Sequence, residues 1–543
     1  MPMILSAAFL ATVLAQVQPS PFPSASPPAT PSGPVLTLSA TSLSLNPAQQ
    51  RSIAVSGASP PLGISLDRKL VSATVDPSNA SVTVTATQAT GDDVLHISDA
   101  NGATADVAIR VAFNAGTIVP EATLRVTGSP ADPAWLAAQV AALVARLTQA
   151  MPNAQIQIAH VAPPIAPLAP GAVTQFSVPV GVTGPDGAYF DQNGSTTVNV
   201  SNVPLDPFAP PLLLYDDDPE HVAVDGVLFR HTIDSAQPVR LYYYHDAVAG
   251  PRRLVVVLSN ASPNPASVHV IDATAGPNED VMHVGDAATR QFLVGKAHNQ
   301  GVILDLAQDQ PLFLHDIGMN AGQLVAGTVD LRVLSGGPVG VTVLAVSPGI
   351  DPRTLLDGPM LPGDGHHRTG TFRIDAYGNE RLDYVTGSTD PAVVIGDRDP
   401  TPPSVDPAAA GHDYGDYGVT HNIDVTMQNA GDAPATAYVY FKPLAGVARA
   451  SFLVDGNAVE LGCMRVPQPY QIASYAIPPR QTIRAFVQTM TDGGSFYPAE
   501  VGVTATPPQP SAPPIAAPDG CFPKPVPAST EAPSASPSPS STP

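Results

Sequence analysis

Arg51-Ser52-Ile53-Ala54-Val55 and, after a set of turn residues, Ser81-Val82-Thr83-Val84-Thr85-Ala86-Thr87 alternate apolar with polar side chains. A period of two sends the apolar set to one face of a strand and the polar set to the other. The same alternation recurs at 35–39, 94–97 and 105–111. Between these runs stand Asn46-Pro47, Gly57, Asp76-Pro77, Gly91-Asp92 and Asp99-Ala100-Asn101-Gly102, which supply turn geometry. Short strands at this spacing predict a β-sandwich over residues 35–113.

Downstream, residues 114–210 carry the single clear helical pattern. Asp132 is placed to cap it and Pro133 to open its first turn. Leu136, Val140, Leu143, Val144, Leu147 and Met151 recur at helical spacing, and Met151-Pro152-Asn153 stops the run. Strands are expected at 122–126, 155–160, 173–182 and 196–203, which makes a small α+β domain. Trp135, the one tryptophan of the chain, lies on this helix, where a core role is expected ahead of a ligand-stacking one. Residues 211–348 and 349–505 again read as strands cut by Gly and Pro, and predict a second and a third sandwich. The division between these two is left open by the sequence.

Composition agrees with this organisation. Of 543 residues, 44% are hydrophobic, enough to build cores, and 63 Pro with 43 Gly favour turns over long helices. Lys and Arg number 24 against 46 Asp and Glu, for a formal charge of −22 with no basic stripe. Phosphate backbones and anionic lipid are held by basic clusters, so neither nucleic acid nor an anionic membrane surface is an expected partner. Residues 16–34 and 506–543 are rich in Pro, Ser and Ala and read as a linker and a tail that bury nothing.

The run at 3–15, ending in Val13-Leu14-Ala15, is apolar, too short to span a bilayer, and matches a signal peptide over residues 1–15. An exported chain with no membrane span after processing is expected: extracellular, on the cell surface or periplasmic. In such a compartment the two cysteines, Cys463 and Cys521, are expected to pair. Closing a loop of that size stabilises by roughly 4 kcal/mol in the chain-entropy model.

Two resemblances add to this reading. Ser42-Leu43-Ser44-Leu45, Val75-Asp76-Pro77 and Ser98-Asp99-Ala100-Asn101-Gly102 resemble the bacterial immunoglobulin-like modules of surface, secretion and pilus proteins. The resemblance implies a module that spaces or binds. Asp216-Asp217-Asp218-Pro219-Glu220, Gly226-Val227-Leu228-Phe229-Arg230, Arg240-Leu241-Tyr242-Tyr243-Tyr244-His245 and Tyr414-Gly415-Asp416-Tyr417-Gly418-Val419 resemble a region of exported proteins of soil bacteria, over about 211–505. Some of those carry a copper-amine-oxidase-like or stalk-domain label. That label implies no activity here, because neither an Asn-Tyr-Asp/Glu cofactor setting nor a His-x-His copper pair occurs in the chain. The fold class expected is therefore mainly β: tandem immunoglobulin-like β-sandwich domains with one small α+β domain.

No phosphate-binding loop, dinucleotide fingerprint, zinc helix, nucleophile elbow or EF-hand loop is present. Three clusters remain as candidates. Asp216, Asp217, Asp218 and Glu220 offer the oxygen ligands that Ca²⁺ takes, or form a solvated acidic turn. His412, Asp413, Asp416 and His421, joined by His366, His367 and Asp364 if the fold gathers them, offer a transition-metal set. Tyr242-Tyr243-Tyr244-His245 alternates along a strand, one face expected in the core and the other on a sheet surface. No catalytic residue is singled out and no resident cofactor is expected. The leading function is an exported, non-catalytic envelope or cell-surface protein that holds structure or binds an extracellular protein or glycan. An extracellular carbohydrate- or metal-dependent enzyme, and a secretion or pilus accessory, are the alternatives.

Overall fold

The computed structural model describes residues 35–397, 401–405, 412–510 and 520–521. The expected signal peptide (1–15), linker (16–34) and most of the tail (506–543) lie outside them. The chain divides into two compact units. The first holds residues up to 117 with short pieces at 150–155 and 182–192; the second holds the rest.

In the first unit the alternating runs form two four-stranded sheets. One orders Thr37–Leu38, Gln50–Ser56, Ser81–Ala86 and Val71–Val75; the other orders Ser42–Leu45, Thr104–Val111, Gly91–Ser98 and Gly63–Leu66. Leu45, Ile53, Val82, Val84, Leu95, Ile97, Val107 and Ile109 fill the space between them. The turn expected around Asp99 is held by its carboxylate, which accepts from the backbone N–H of Ser59, Asn101 and Ala103, each at 2.9 Å.

The second unit contains two further sandwiches. The larger one pairs an eleven-stranded sheet with a four-stranded sheet made of Gly226–Ile233, Val339–Val346, Arg252–Asn260 and Leu312–Met319. Their facing apolar residues, among them Leu241, Val256, Val270, Val329 and Val343, are buried in one core. The last sandwich packs a five-stranded sheet on a four-stranded one within residues 379–504. Its core includes Ile423, Phe441, Phe452 and Val501. The protein is thus mainly β, as 53% strand against 8% helix attests.

The sheets cross the domain boundaries that the sequence suggested. Glu121–Thr127 pairs in parallel with Gln192–Asn202 on one side and antiparallel with Gly301–Leu306 on the other. The strands expected as a small separate α+β domain at 114–210 therefore belong to the same sheet as 211–348. Thr369–Arg373 likewise pairs with Leu212–Asp216 of the large sheet, so the structural break falls after it and not at 348. Local pattern identifies strands, but strand partners far away in the chain decide which sheet each one joins.

Helix α1, Pro133–Leu147, starts where its cap predicts: Asp132 accepts from the N–H of Ala134 and Trp135, both at 2.9 Å. Leu136, Val140, Leu143 and Val144 pack on Leu124, Val126, Val178 and Val198. A second helix, α2 (Val281–Ala297), was not evident from the sequence. Its apolar spacing is interrupted by Gly285, Asp286 and Gly295, so the 3.6-residue signal is weak. Asp280 caps it through the N–H of His283. One side of α2 meets Tyr242, Tyr244, Ile271 and Ala273 of the large sheet, the other Leu453 and Met490 of the last sandwich. The backbones come so close that a Cβ on Gly285 would stand 1.9 Å from the Gly493 carbonyl oxygen.

A buried charge cluster fixes this junction. Arg240 and Asp330 are opposite each other on neighbouring strands. Arg240 Nε donates to Asp330 at 2.7 Å, and Lys296 of α2 reaches the same carboxylate at 2.5 Å. Arg240 also donates to the Gly418 carbonyl and the Thr420 hydroxyl, both at 2.8 Å, where the chain enters the last sandwich. Burial pushes the Asp330 carboxyl up, but the two cations outweigh it and hold it below its ordinary value. Near the chain's end, Cys463 and Cys521 form a disulfide with Cα atoms 5.3 Å apart, beside Met282 and Val447. Among the described residues no helix is long and apolar enough to cross a membrane.

Asp330→Ala leaves the buried Arg240 and the partly buried Lys296 without a counter-ion and is expected to cost about 3–5 kcal/mol. Urea unfolding checks this, and a loss under 1 kcal/mol would remove the cluster from the role given to it here.

Candidate functional site

Leu212–Asp216 and Val239–Ala247 run in parallel with Tyr215 beside Tyr242. Alternation puts Leu213, Tyr215, Tyr242 and Tyr244 on one face of the sheet, and Leu214, Leu241 and Tyr243 on the other. Both faces are covered. Tyr242 and Tyr244 are only 6% and 7% exposed, which corrects the expectation that one face of this tyrosine run is a sheet surface. What covers them is α2 and the Asp492-Gly493-Gly494 turn.

Between these elements lies a cavity of about 380 Å³ walled by Tyr215, Tyr242, Tyr244, Tyr417 and Tyr497. Tyr215 stacks on Tyr242 with centroids 5.3 Å apart, Tyr242 on Tyr417 at 6.3 Å, and Tyr417 meets Tyr497 edge-on at 6.2 Å. Gly493 allows the approach, since a Cβ there would sit 2.7 Å from the Tyr244 ring. Burial pushes the phenols of Tyr215, Tyr242, Tyr244 and Tyr417 above their ordinary value, so they stay neutral donors.

The polar part of the wall is Asp217, Glu220, His367 and Arg368. Asp217 follows the end of its strand and is 8% exposed. The Tyr215 hydroxyl donates to its Oδ2 at a long 3.4 Å, while Oδ1 has no hydrogen-bond partner among the described residues. Burial, reinforced by Glu220 and opposed by Arg368, raises the Asp217 carboxyl well above the usual carboxylate range. Burial also raises Glu220, against the pull of His367. His367 is clamped between two carboxylates: Nε2 lies 2.8 Å from Glu220 and Nδ1 2.6 Å from Asp364. Burial works against ionisation of Asp364, yet bonds from the His367 side chain and from the His366 and His367 N–H groups hold it well below the usual range. Asp218 accepts from the Asp364 N–H at 2.6 Å. Arg368 donates to the carbonyls of His412 and Tyr414, at 3.3 and 2.8 Å.

The sequence candidates are thus only partly gathered. Asp217, Asp218, Glu220 and His367 meet, with Asp364 and Arg368. Asp216 turns to the other face of the sheet, fully buried, 3.1 Å from His245 without hydrogen-bond alignment. His366 is exposed, and His412 stacks on Tyr414 at 5.3 Å. Asp413 is fully buried with neither carboxylate oxygen hydrogen-bonded among the described residues. Burial, with Asp416 adding to it, raises Asp413 well above the usual range despite Arg368. His421 and Asp416 stand apart: His421 lies 3.0 Å from Glu380 and 3.8 Å from Asp416. Among the described residues no three His, Cys, Asp or Glu side chains are arranged to hold a metal ion. The physical reason is pairing, since each of His245, His367 and His421 is already turned to a carboxylate. Arg368, Tyr417 and Tyr497 complete the pocket and were not picked as site residues. Arg368 directly follows the His pair, but nothing local links the tyrosines to it.

No family model and no curated protein matches the chain. Solved structures match weakly. Human mucin-like protocadherin EC1-2 aligns at 11% identity, over 32% of this chain and 100% of that one, with a TM-score of 0.11. The Bacteroides ovatus mixed-linkage glucan utilization locus SGBP-B, solved in complex with a mixed-linkage heptasaccharide, aligns at 10% identity over 57% and 75%, with a TM-score of 0.15. The insect immune protein hemolin aligns at 10% identity over 53% and 76%, with a TM-score of 0.16. At such TM-scores the likeness decides neither fold nor function.

A carboxyl whose folded value is raised binds its proton more tightly when folded. The stability it supports is full below the unfolded value and is lost as pH rises through the folded one. Asp413→Asn removes that dependence. Relative to the parent, the variant is expected to gain stability as pH rises from about 4 to 8, by about 1.4 kcal/mol for each pH unit over which the folded parent alone holds its proton. Denaturant melts across this range check it; a relative gain on acidification instead would mean that Asp413 is ionised and paired.

Proposed function

We propose that this chain is an exported, non-catalytic envelope or cell-surface binding protein, and that the tyrosine-walled pocket is where it takes a small ligand rich in hydrogen-bond donors. The observation that carries this is the Asp217 carboxylate: nearly buried, facing the cavity, with one oxygen unpartnered among the described residues. Buried polar atoms are normally satisfied, and exceptions concentrate where something else is meant to bind. Hydroxyl groups, which both donate and accept, satisfy this oxygen whether or not it carries the proton, and five phenol rings give such a ligand both flat apolar surface and polar tips. The pocket is built before any ligand arrives, because its rings are stacked on one another and its histidine is clamped.

Export rests on the apolar run at 3–15, the Pro/Ser-rich segments at both ends, and a disulfide of the kind oxidising compartments sustain. The resemblance of residues 35–113 to bacterial immunoglobulin-like modules supports a spacing or docking role for that part, which leaves an envelope protein or glycan as the larger partner.

A second reading, an extracellular paired-carboxylate enzyme, draws on one feature: Asp217 and Glu220 both line the cavity and both hold their protons more tightly than usual. Against it stands the pairing of Glu220 with His367 at 2.8 Å, which occupies one of the two carboxylates.

Thermal-shift titration of the mature protein with monosaccharides, polyols and small amines tests the reading. At least one class is expected to raise Tm saturably, with Asp217→Asn weakening the apparent Kd about tenfold, or about 1.4 kcal/mol. No shift from any class, or product released from a glycan by the parent but not by Asp217→Asn, overturns it. Recovery of the protein in the cytoplasmic fraction would overturn the export part.

A further inference from the structure

A second recessed site lies well away from the tyrosine pocket in its residues and is independent of it. Helix α1 and the strand Leu312–Met319 stand side by side over the same face of the large sheet. Val302 of that sheet packs into both neighbouring cores. Leu312–Met319 is the edge strand of its own sheet, so nothing from that sheet lies between it and the helix. The gap is a groove made of two adjoining cavities, about 230 and 710 Å³, which share Trp135, Gln139, Asp272, Gln300 and His315, and the C-terminal half of α2 also walls the larger one. Its size falls within that of small-molecule and cofactor sites, about 300–1,000 Å³. The floor is apolar, from Val270, Val302 and Leu304.

Three properties say what chemistry this groove matches. The first is Trp135, half-buried on the groove wall, with its indole N–H making no hydrogen bond among the described residues. A tryptophan in this position offers a flat apolar ring with one polar tip. The second is Gln300, 6% exposed, whose side chain makes no hydrogen bond among the described residues although it lines both cavities. Gln139, one turn along α1 from Trp135, presents a second free amide. Each amide has donors and an acceptor. The third is that charge along the lining is nearly balanced, with Arg146 and Arg290 set against Asp132 and Asp272. Asp272 is matched by His315 at 3.0 Å, and Arg290 by Glu460 at 3.3 Å. The Thr274 hydroxyl lies 3.1 Å from the same His315 nitrogen that faces Asp272, and 2.6 Å from the Tyr243 hydroxyl. Carboxylate and hydroxyl therefore compete for one imidazole nitrogen, which makes a fixed polar network and not a nucleophile–base–acid relay.

A flat C–H face with a rim of uncharged hydroxyls is the surface that complements a half-buried indole flanked by free amides. We infer that the groove between α1 and the Leu312–Met319 strand binds a neutral oligosaccharide, with a pyranose ring over Trp135 and its hydroxyls on Gln139, Gln300 and Asp272. A peptide fits less well. Its backbone would present carbonyl and N–H groups at fixed spacing along an edge strand, whereas the free groups here are the side-chain amides around one aromatic ring.

The chain has a single tryptophan, so emission excited at the red edge of its absorption, where the 14 tyrosines scarcely absorb, reports on this groove. Full-length protein titrated with cello-, xylo-, manno- and chito-oligosaccharides is expected to show a saturable change in Trp135 emission with at least one of them. Gln300→Ala and, separately, the half-buried Gln139→Ala are each expected to weaken that binding about five- to tenfold, while their circular dichroism and Tm match the parent. No emission change with any sugar overturns the inference. So does a change that survives both substitutions, or a response confined to a proline-rich peptide. If the tyrosine pocket proved empty of function, this test would be unaffected, because its signal originates from a residue that the pocket does not contain.

Discussion

Arg240 and Asp330 face each other across two strands of the large sheet, buried almost completely, and the second unit is organised around that pair. Taking a guanidinium and a carboxylate out of water is costly unless every remaining donor finds an acceptor. Here the donors do: Arg240 spends one arm on Asp330 and another on Gly418 and Thr420, while Lys296 comes down from α2 to the same carboxylate. The Arg240 guanidinium also sits over the Phe292 ring at 4.7 Å. One satisfied cluster thus ties sheet, helix and last sandwich together, and no part can shift far without exposing an unmet charge.

The tyrosine pocket is a consequence of that junction. With α2 locked on the sheet, its Gly285 lies against Gly493, and the turn at 492–494 is pressed over Tyr242 and Tyr244. The strand that ends at Asp216 delivers Asp217 and Glu220 to the rim of the resulting cavity. The 364–368 segment brings His367 and Arg368 to its other side. Acidic groups that would be unremarkable on a solvated loop are thereby placed where water is scarce, and their protonation shifts accordingly.

The strands were readable because period-two alternation is a local property, and the sandwich over 35–113 follows from it directly. The start of α1 was readable for the same reason, since Asp132 and Pro133 act on their immediate neighbours. Helix α2 was not, because it is stabilised by covering surfaces on two sides and its own pattern is broken by Gly285 and Asp286. The acidic and histidine clusters were noticed as clusters, but their separation into a pocket wall, a buried pair and a distant His421–Glu380 contact depends on which strand face each residue occupies.

Taken alone, the chain's order of residues determined the class of structure, the turns, one helix with its cap, and the acidic character that disfavours polyanionic partners. Each of these needs only interactions within a few residues or a sum over all of them. Tertiary structure alone decided where one sheet ends and the next begins, that Tyr242 and Tyr244 are covered, that Trp135 borders a groove, and that Asp217 loses its water. Those outcomes depend on contacts between segments tens to hundreds of residues apart, and no local pattern encodes a partner that far away.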